Sequence, residues 1–300
     1  MATEQNITAV VSLYNPEFSV VEHCATLVKQ VGRVVAVDDG SPTDVEPVLT
    51  QLEELGCHVV RLERNSGIAT ALNAGILAAR QHADAPDFIL TMDQDSMLES
   101  RYTRKLLAAY DAAMAAGITV AMVAPGSIAG LPTRRQAVVN NIDIGGEPIQ
   151  SGLMIPCHVL DELGLLMDEL FIDGVDTEFY LRARNAGMES ILAPDSLLEH
   201  ALGNMVQASI FGVKLSPGGK PLQIRTAASY RYYYIFRNRL LLIRRYWRSQ
   251  PAWAIKGLLA DYRHLAIVMA LAPGRGRRLA SAMAGVKDGL KGISGPRPSR

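Results

Sequence analysis

Short apolar runs alternate with amphipathic stretches along the first half of the chain. Each apolar run is rich in β-formers and stops at polar or turn-forming residues, whereas the stretches between the runs repeat their apolar side chains at helical spacing. This alternation predicts an α/β fold with a Rossmann-like, mainly parallel sheet flanked by helices. The predicted strands are residues 7–16, 33–42, 57–65 and 87–96, and the predicted helices are residues 17–30, 43–55 and 66–80.

The pattern loosens in the second half of the chain. A helix over 99–116 and a strand over 118–124 continue the alternation, and residues 126–150 are rich in Gly, Pro and polar residues, which predicts loops and short antiparallel strands. The later elements predicted from periodicity are a short buried strand over 149–156 and helices over 173–187 and 226–249.

Polar side chains follow the apolar runs at the points where the predicted strands end. In a doubly wound sheet the ligand binds beyond the carboxyl ends of the strands, so these side chains are expected on one rim. They are Asn15, Asp38, Asp39, Asn65, Asp93 and Asp95.

Asp93 and Asp95 lie one residue apart in TMDQDS, where their charges repel. A helix cap or a solvated turn is one explanation. A calcium loop is another, but the ladder of acids, the central Gly and the distal Glu of an EF-hand do not follow. A divalent cation held by few carboxylates and completed by substrate phosphates is the third, and the other polar residues of the rim favour it.

The net charge of zero conceals an asymmetry. From residue 225 to the end there are sixteen Lys and Arg against two acids, or +14, which leaves fourteen against twenty-eight, or −14, in the first 224 residues. Residues 251–293 mix these bases with apolar clusters, which predicts either amphipathic helices packed on the domain or a segment docked on an anionic membrane. Nucleic acid is disfavoured, because no binding motif accompanies the charge.

No run is long enough to span a membrane, and the N-terminus does not read as a signal peptide. The expected location is therefore the cytoplasm, with peripheral attachment to the inner face of the cell membrane as an option.

Seven motifs in order resemble the family 2 glycosyltransferases, and more narrowly the bacterial rhamnosyltransferases of O-antigen and related polysaccharides. They are SLYNP, VDDGSPTD, RNSGIATALNAGI, TMDQDS, FIDGVDTEFYLRARNAG, LEH and YRYYYIFRNRLLL. The resemblance covers about residues 7–246. It implies a GT-A fold, a nucleotide-sugar donor such as dTDP-L-rhamnose, a divalent cation (Mg²⁺ or Mn²⁺), and a saccharide or lipid-linked saccharide acceptor. Galactofuranose or a UDP-hexose remains an alternative donor sugar, and a nucleotide-binding regulator without catalysis is an alternative function.

The resemblance also implies roles for individual residues. Asp95 corresponds to the main metal ligand, with Asp93 and His200 beside it, and Asp93 also contacts the donor ribose. Ser151, Gly152 and Glu178 correspond to the acceptor side. The donor-binding set implied is Asn15, Asp38, Asp39, Asn65, Gly67, Asp93 and Arg237. For Arg237, the charged tip of an aromatic core face is the alternative to a phosphate contact.

The catalytic base is located by counting back from Arg182. Relatives place an acidic pair six and seven residues before this Arg, and here Asp176 takes the position of the base while Val175 stands in place of the Glu. Asp173 is the competing candidate.

The resemblance and the charge pattern together divide the chain. Residues 1–225 are expected to form the catalytic domain, with a nucleotide-sugar half over 1–117 and an acceptor half over 118–225. Residues 226–293 are expected to form a basic helical extension and residues 294–300 a disordered tail.

Overall fold

A computed structural model describes residues 3–200, 204–210 and 213–297. These residues form two compact units. The first unit comprises the chain up to Asp168 and the segment from Val175 to His200, and the second unit comprises Glu169–Gly174 and the described residues from Asn204 onward.

The first unit contains one large sheet and six helices among its described residues. The strands are β1 (Ile7–Leu13), β2 (Arg33–Asp38), β3 (His58–Arg61), β4 (Phe88–Asp93), β5 (Ser96–Leu98), β6 (Val120–Ile128), β7 (Leu131–Pro132), β8 (Arg135–Val139), β9 (Ile142–Gly145), β10 (Leu153–Pro156) and β11 (Glu189–His200). The helices are α1 (Ser19–Leu27), α2 (Glu46–Glu54), α3 (Ile68–Arg80), α4 (Tyr102–Ala115), α5 (Cys157–Leu163) and α6 (Val175–Asn185).

The sheet has the order β3-β2-β1-β4-β10-β6-β11-β9-β8. Strands β3, β2, β1 and β4 are parallel, and β6 is parallel to β11. Strand β10 runs antiparallel between β4 and β6. The predicted α/β architecture with a mainly parallel sheet is therefore confirmed. The antiparallel direction of β10 was not predicted, because an apolar run does not indicate the direction of its strand.

The parallel strands are apolar on both faces because helices cover both sides of the sheet. Six of the seven residues of β1 are buried, as are five of the six residues of β2. Helix α3 contributes Leu72 and Ile76 to this interior, and both are fully buried. The sheet is thereby a rigid support, and its strand ends can hold polar side chains at fixed distances.

The second unit is built around three helices. They are α7 (Arg231–Tyr246), α8 (Pro251–Leu271) and α9 (Arg275–Lys291), and the unit also contains the short strands β12 (Asn204–Gln207), β13 (Ser209–Ile210), β14 (Val213–Lys214) and β15 (Gln223–Thr226). Its apolar core consists of Tyr232, Phe236, Val268, Ala272 and Ala282. One face of α8 and one face of α9 thus pack inside the second unit.

Part of the expected disordered tail makes hydrogen bonds. The backbone N–H of Gly295 donates to the Glu169 carbonyl at 2.6 Å, and that of Arg297 donates to the Tyr234 hydroxyl at 2.9 Å. Residues 298–300 of the tail lie outside the described residues. No helix in the described part of the chain is long and apolar enough to cross a membrane.

Candidate active site

The carboxyl ends of β1, β2 and β4 meet at one rim of the sheet. The parallel register places Leu13 beside Asp38 and Ser12 beside Asp93. The polar residues that follow these strands are consequently neighbours, as their order in the sequence predicted.

A three-residue strand brings His200 to the same rim. Asp93, which ends β4, and Asp95 flank the turn into β5, and β5 pairs antiparallel with the end of β11, so that Ser96 lies opposite His200. The ligand atoms of Asp93, Asp95 and His200 all lie within 4.8 Å of one another. Asp95 is half-exposed, and its Oδ1 lies 3.5 Å from Nδ1 of His200.

This donor set fits a divalent cation. Two carboxylates and one imidazole are few protein ligands, so coordination positions are left for phosphate oxygens. Mg²⁺ sites are commonly completed by substrate phosphates in this way. The exposure of Asp95 leaves the group accessible from solvent.

Two buried serines connect the members of this cluster. The Ser151 hydroxyl accepts the backbone N–H of Asp93 at 3.0 Å and donates to Ser96 Oγ at 2.7 Å. Ser96 Oγ lies 2.8 Å from Nδ1 of His200, within hydrogen-bonding distance. Both serines are 1% exposed, so this chain of hydroxyls is shielded from water. It ties the end of β4 to the imidazole of β11.

Asp38 and Asp39 lie at the end of β2 with both side chains buried. Asp38 accepts the Ser41 hydroxyl at 2.5 Å. Asp39 accepts the backbone N–H groups of Ser66 at 2.7 Å and Gly67 at 2.9 Å, which are the residues that precede α3. Burial raises the pKa of Asp39 above its ordinary value, with the neighbouring charge of Asp38 adding to it and the two N–H donors opposing it.

Asn15, Asn65 and Gly67 surround this pair. Asn15 is exposed and has a positive φ of 47°, its backbone N–H donates to Ser41 Oγ, and its Oδ1 accepts the Thr43 hydroxyl at 2.7 Å. Gly67 has a φ of 94°, a conformation that favours glycine and that lets its N–H reach Asp39. Oδ1 of Asn65 is buried and has no hydrogen-bond partner among the described residues.

Helix α6 carries the two predicted acids that follow Asp173. Asp176 is half-buried in the first turn, and its Oδ1 accepts the backbone N–H of Thr177 at 2.8 Å. Glu178 is buried and pairs with Nη2 of Arg182 at 2.5 Å, one helical turn later. Arg182 also donates to the Leu163 carbonyl at 2.7 Å. The Glu178–Arg182 pair is therefore part of the packing of α6.

Asp173 belongs to the second unit and is held by a guanidinium there. Nε of Arg231 donates to its Oδ2 at 3.1 Å, and Nη2 of Arg231 donates to its Oδ1. Its backbone carbonyl accepts the side-chain amide of Asn238 at 2.7 Å. The positive charge of Arg231 compensates the charge of the Asp173 carboxylate in this bidentate pair.

Arg237 is fully buried in the second unit. Its guanidinium donates to the Leu170 carbonyl at 2.9 Å and to the Gly295 carbonyl, and it lies 4.9 Å from the ring centroid of Tyr234. Burial lowers the pKa of Arg237 from its ordinary value. The structure thus encloses the guanidinium of Arg237 in the second unit, whereas the sequence alternative was the charged tip of a core face.

Gly152 is enclosed by the core of the first unit. Its φ is 74°, its carbonyl accepts the Tyr102 hydroxyl at 2.6 Å, and a Cβ added there would lie 2.5 Å from that oxygen. Any larger residue would displace Tyr102. The position demands glycine for packing, whatever its relation to an acceptor.

Sequence reasoning missed Ser96 and Gln94. The Gln94 side-chain carbonyl accepts the backbone N–H of Tyr14 at 2.8 Å, and its backbone carbonyl lies 2.8 Å from Nδ1 of His23. This residue therefore ties the turn after β4 to the end of β1 and to α1. The sequence signal for Gln94 was a polar residue between two acids. The motif does not distinguish such a residue from one in a solvated turn.

Comparisons with known proteins agree with this geometry. The family model described as Glycosyl transferase family 2 matches residues 8–155. The chain carries a family 2 glycosyltransferase domain. That glycosyltransferase region includes Asp38, Asp39, Asp93 and Asp95, whereas Asp176 and His200 lie beyond it.

One relative matches the chain along nearly its whole length. The dTDP-rhamnosyl transferase RfbF of Shigella flexneri is 28% identical over 303 residues, covering 97% of this chain and 97% of that protein.

Two solved structures show the GT-A fold of this glycosyltransferase. GalNAc-T7 with UDP, GalNAc and Mn²⁺ superposes with a TM-score of 0.59 at 14% identity, covering 96% of this chain and 56% of that one. S. aureus TarS 1-349 in complex with UDP superposes with a TM-score of 0.51 at 16% identity, covering 95% and 91%.

Proposed function

We propose that this glycosyltransferase is inverting and metal-dependent and moves L-rhamnose from dTDP-L-rhamnose to a glycan or lipid-linked saccharide. The observation that carries the proposal is the group of Asp93, Asp95 and His200 at the strand ends of a family 2 domain. The full-length similarity to a dTDP-rhamnosyl transferase supports the choice of donor.

The nucleoside of the donor binds at the ends of β1 and β2. Asp38 accepts the N3–H of the pyrimidine, a donor that a purine does not present at that position. Asp39 stabilises this site, because its two carboxylate oxygens accept the backbone N–H groups of Ser66 and Gly67 before α3. Asn15 and the turn at Asn65 and Gly67 face the nucleoside.

Asp95, Asp93 and His200 hold the divalent cation, which when bound stabilises the negative charge that develops on the leaving diphosphate. Asp95 is the principal ligand, and Asp93 additionally contacts the ribose. Ser96 and Ser151 keep this ligand set in place, because their hydroxyls join Asp93 to His200.

Asp176 acts as the catalytic base and takes the proton of the acceptor hydroxyl as its oxygen attacks the anomeric carbon. Two observations favour it over Asp173. Asp176 is half-buried in the first turn of α6, at the position that the resemblance gives to the base. Asp173 is engaged by Arg231 on both of its oxygens. The acceptor side of the site is supported by the packing of Ser151, Gly152 and Glu178.

The acceptor is a saccharide, and the lipid-linked form would place the reaction at the inner face of the cell membrane. The charge division of the chain supports this, because the C-terminal 76 residues carry +14. Peripheral contact with an anionic membrane is therefore part of the proposal.

A donor panel tests the proposal. The purified chain is incubated with Mn²⁺ and dTDP-L-rhamnose, UDP-hexoses or UDP-galactofuranose, and the released nucleoside diphosphate is measured with and without a chelator. We expect release from dTDP-L-rhamnose that the chelator abolishes. Release from a UDP-sugar alone would replace the rhamnose assignment, and donor binding without any release or transfer would favour a nucleotide-binding regulator.

A further inference from the structure

Helix α8 is anchored to the second unit along one face. Oδ2 of Asp261 accepts Nε of Arg239 of α7 at 2.6 Å, and the Arg239 guanidinium lies 4.7 Å from the ring of Trp253. Val268 is fully buried in the core of the unit. The helix is consequently held in one orientation, and its opposite face is fixed outward.

The outward face runs along the whole of α8. Its exposed positions recur every three or four residues, which places them on one side of a helix about 31 Å long. They are residues 251, 252, 255, 256, 259, 260, 262, 263, 266, 267 and 270.

This face is apolar and basic. Nine of its eleven residues are Pro, Ala, Ile, Leu or Tyr, and the other two are Lys256 and Arg263. Ile255 is 62% exposed and Leu259 is 65% exposed. The one acid of α8, Asp261, faces inward to Arg239. Solvent-exposed large aliphatic side chains in such a row indicate a docking surface.

Helix α9 repeats the arrangement on its own exposed side. Leu279, Met283 and Leu290 are exposed at positions that share a helix face, and exposed bases occur beside them, including Lys287. Its one acid, Asp288, is buried and accepts the Tyr233 hydroxyl at 2.9 Å. Both helices therefore keep their acids inside and present bases with apolar side chains outside.

We propose that the outward face of α8 docks on an anionic lipid surface. A helix with apolar side chains and Lys or Arg on its free face lies in the plane of a membrane, with the aliphatic groups in the headgroup boundary and the bases at the phosphates. A second copy of this chain fits less well, because an antiparallel two-fold pairing centred on the exposed Leu259 would place Lys256 near Arg263 of the second copy. The inference rests on the proposed function and deepens it, because it names the surface that makes the peripheral membrane contact.

Vesicle co-sedimentation of the full chain tests this surface. One set of vesicles is phosphatidylcholine alone, and the other contains phosphatidylglycerol at about one lipid in four. We expect binding to the anionic vesicles only, weakened by added salt because exposed charges are screened. Point substitutions are used in place of truncation, since α8 and α9 complete the core around Phe236.

The decisive variant is Ile255→Glu with Leu259→Glu. We expect its partition onto anionic vesicles to fall by at least about tenfold. Its matched control, Leu131→Glu with Val138→Glu, changes two similarly exposed residues of the first unit, at 61% and 54%, and should bind as the wild type does. Lys256→Gln with Arg263→Gln should weaken binding by about fivefold for each base.

Several results would overturn the inference. They are absence of wild-type binding, equal binding to both vesicle types, and equal binding by the folded Ile255/Leu259 variant. A dimer in light scattering that this variant abolishes, without vesicle binding, would assign the face to a second copy. Release of dTDP is measured without vesicles on the same protein, so failure to bind lipid and failure of the proposed rhamnosyl transfer are separable results.

Discussion

Replacing Ser96 with Ala tests whether the buried hydroxyls organise the cation ligands. The substitution removes the oxygen that receives the Ser151 hydroxyl at 2.7 Å and that lies 2.8 Å from Nδ1 of His200. Each lost hydrogen bond costs about 1 kcal/mol, so we expect the free energy of unfolding to fall by about 2 kcal/mol. Losing the partner that orients a metal-binding imidazole should also weaken Mn²⁺ affinity by roughly 10- to 100-fold.

The assay is calorimetric titration of Mn²⁺ into metal-free protein with dTDP present, together with thermal unfolding in chelator. Ser196→Ala is the matched control. Ser196 is equally buried, and its hydroxyl donates to the Ala193 carbonyl at 2.8 Å and accepts the Gly126 N–H at 2.9 Å, away from the cluster. It should lose similar stability and keep its Mn²⁺ affinity. The reasoning is refuted if folded Ser96→Ala binds Mn²⁺ as the wild type does, or if the control weakens equally.

Four further substitutions test other parts of the account. Asp95→Ala should abolish turnover. It should not lower the melting temperature, because the Asp95 carboxylate is half-exposed and repels Asp93 in the absence of a cation. Residual turnover would argue against Asp95 as the principal metal ligand. Asp176→Asn should lower kcat by on the order of a hundredfold with little change in donor affinity. Asp173→Asn should instead lower stability, because it breaks the pair with Arg231. If single-turnover assays show that Asp173→Asn loses transfer and Asp176→Asn keeps it, the two residues exchange roles. For Asp39, whose pKa is raised by burial, the stability advantage over Asp39→Asn is fully present below its unfolded-state pKa and is lost as pH rises through the folded pKa. The difference in melting temperature should therefore shrink as the pH rises above about 4, the ordinary pKa of an Asp side chain, and a constant difference would contradict the assignment.

The sheet and its polar rim could be predicted because their signals are local. Apolar runs such as the one before Asp93 identify buried strands, and parallel strands carry their carboxyl ends to one rim. Asp38 and Asp39 at one strand end and Asp93 and Asp95 at another were accordingly expected as neighbours, and the register of β1 with β2 and β4 confirms the alignment of those strands.

The contacts that complete the site could not be predicted, because they depend on distant pairing. Strand β5 has three residues, too few for a periodic signal, yet its pairing with β11 joins Ser96 to a histidine 104 positions later. Arg237 shows the opposite difficulty. A basic residue after five aromatics suggests a ligand contact, but backbone carbonyls from residues remote in sequence accept its hydrogen bonds. No local sequence pattern indicates those carbonyls.

The central claim is tested most directly by the initial rate of dTDP release from dTDP-L-rhamnose when Mn²⁺ is added back to metal-stripped protein. The account predicts a rate near zero without the cation and a saturable rise on addition, with no rise in Asp95→Ala. Full activity of the stripped wild type in chelator, or an undiminished rise in Asp95→Ala, would contradict it.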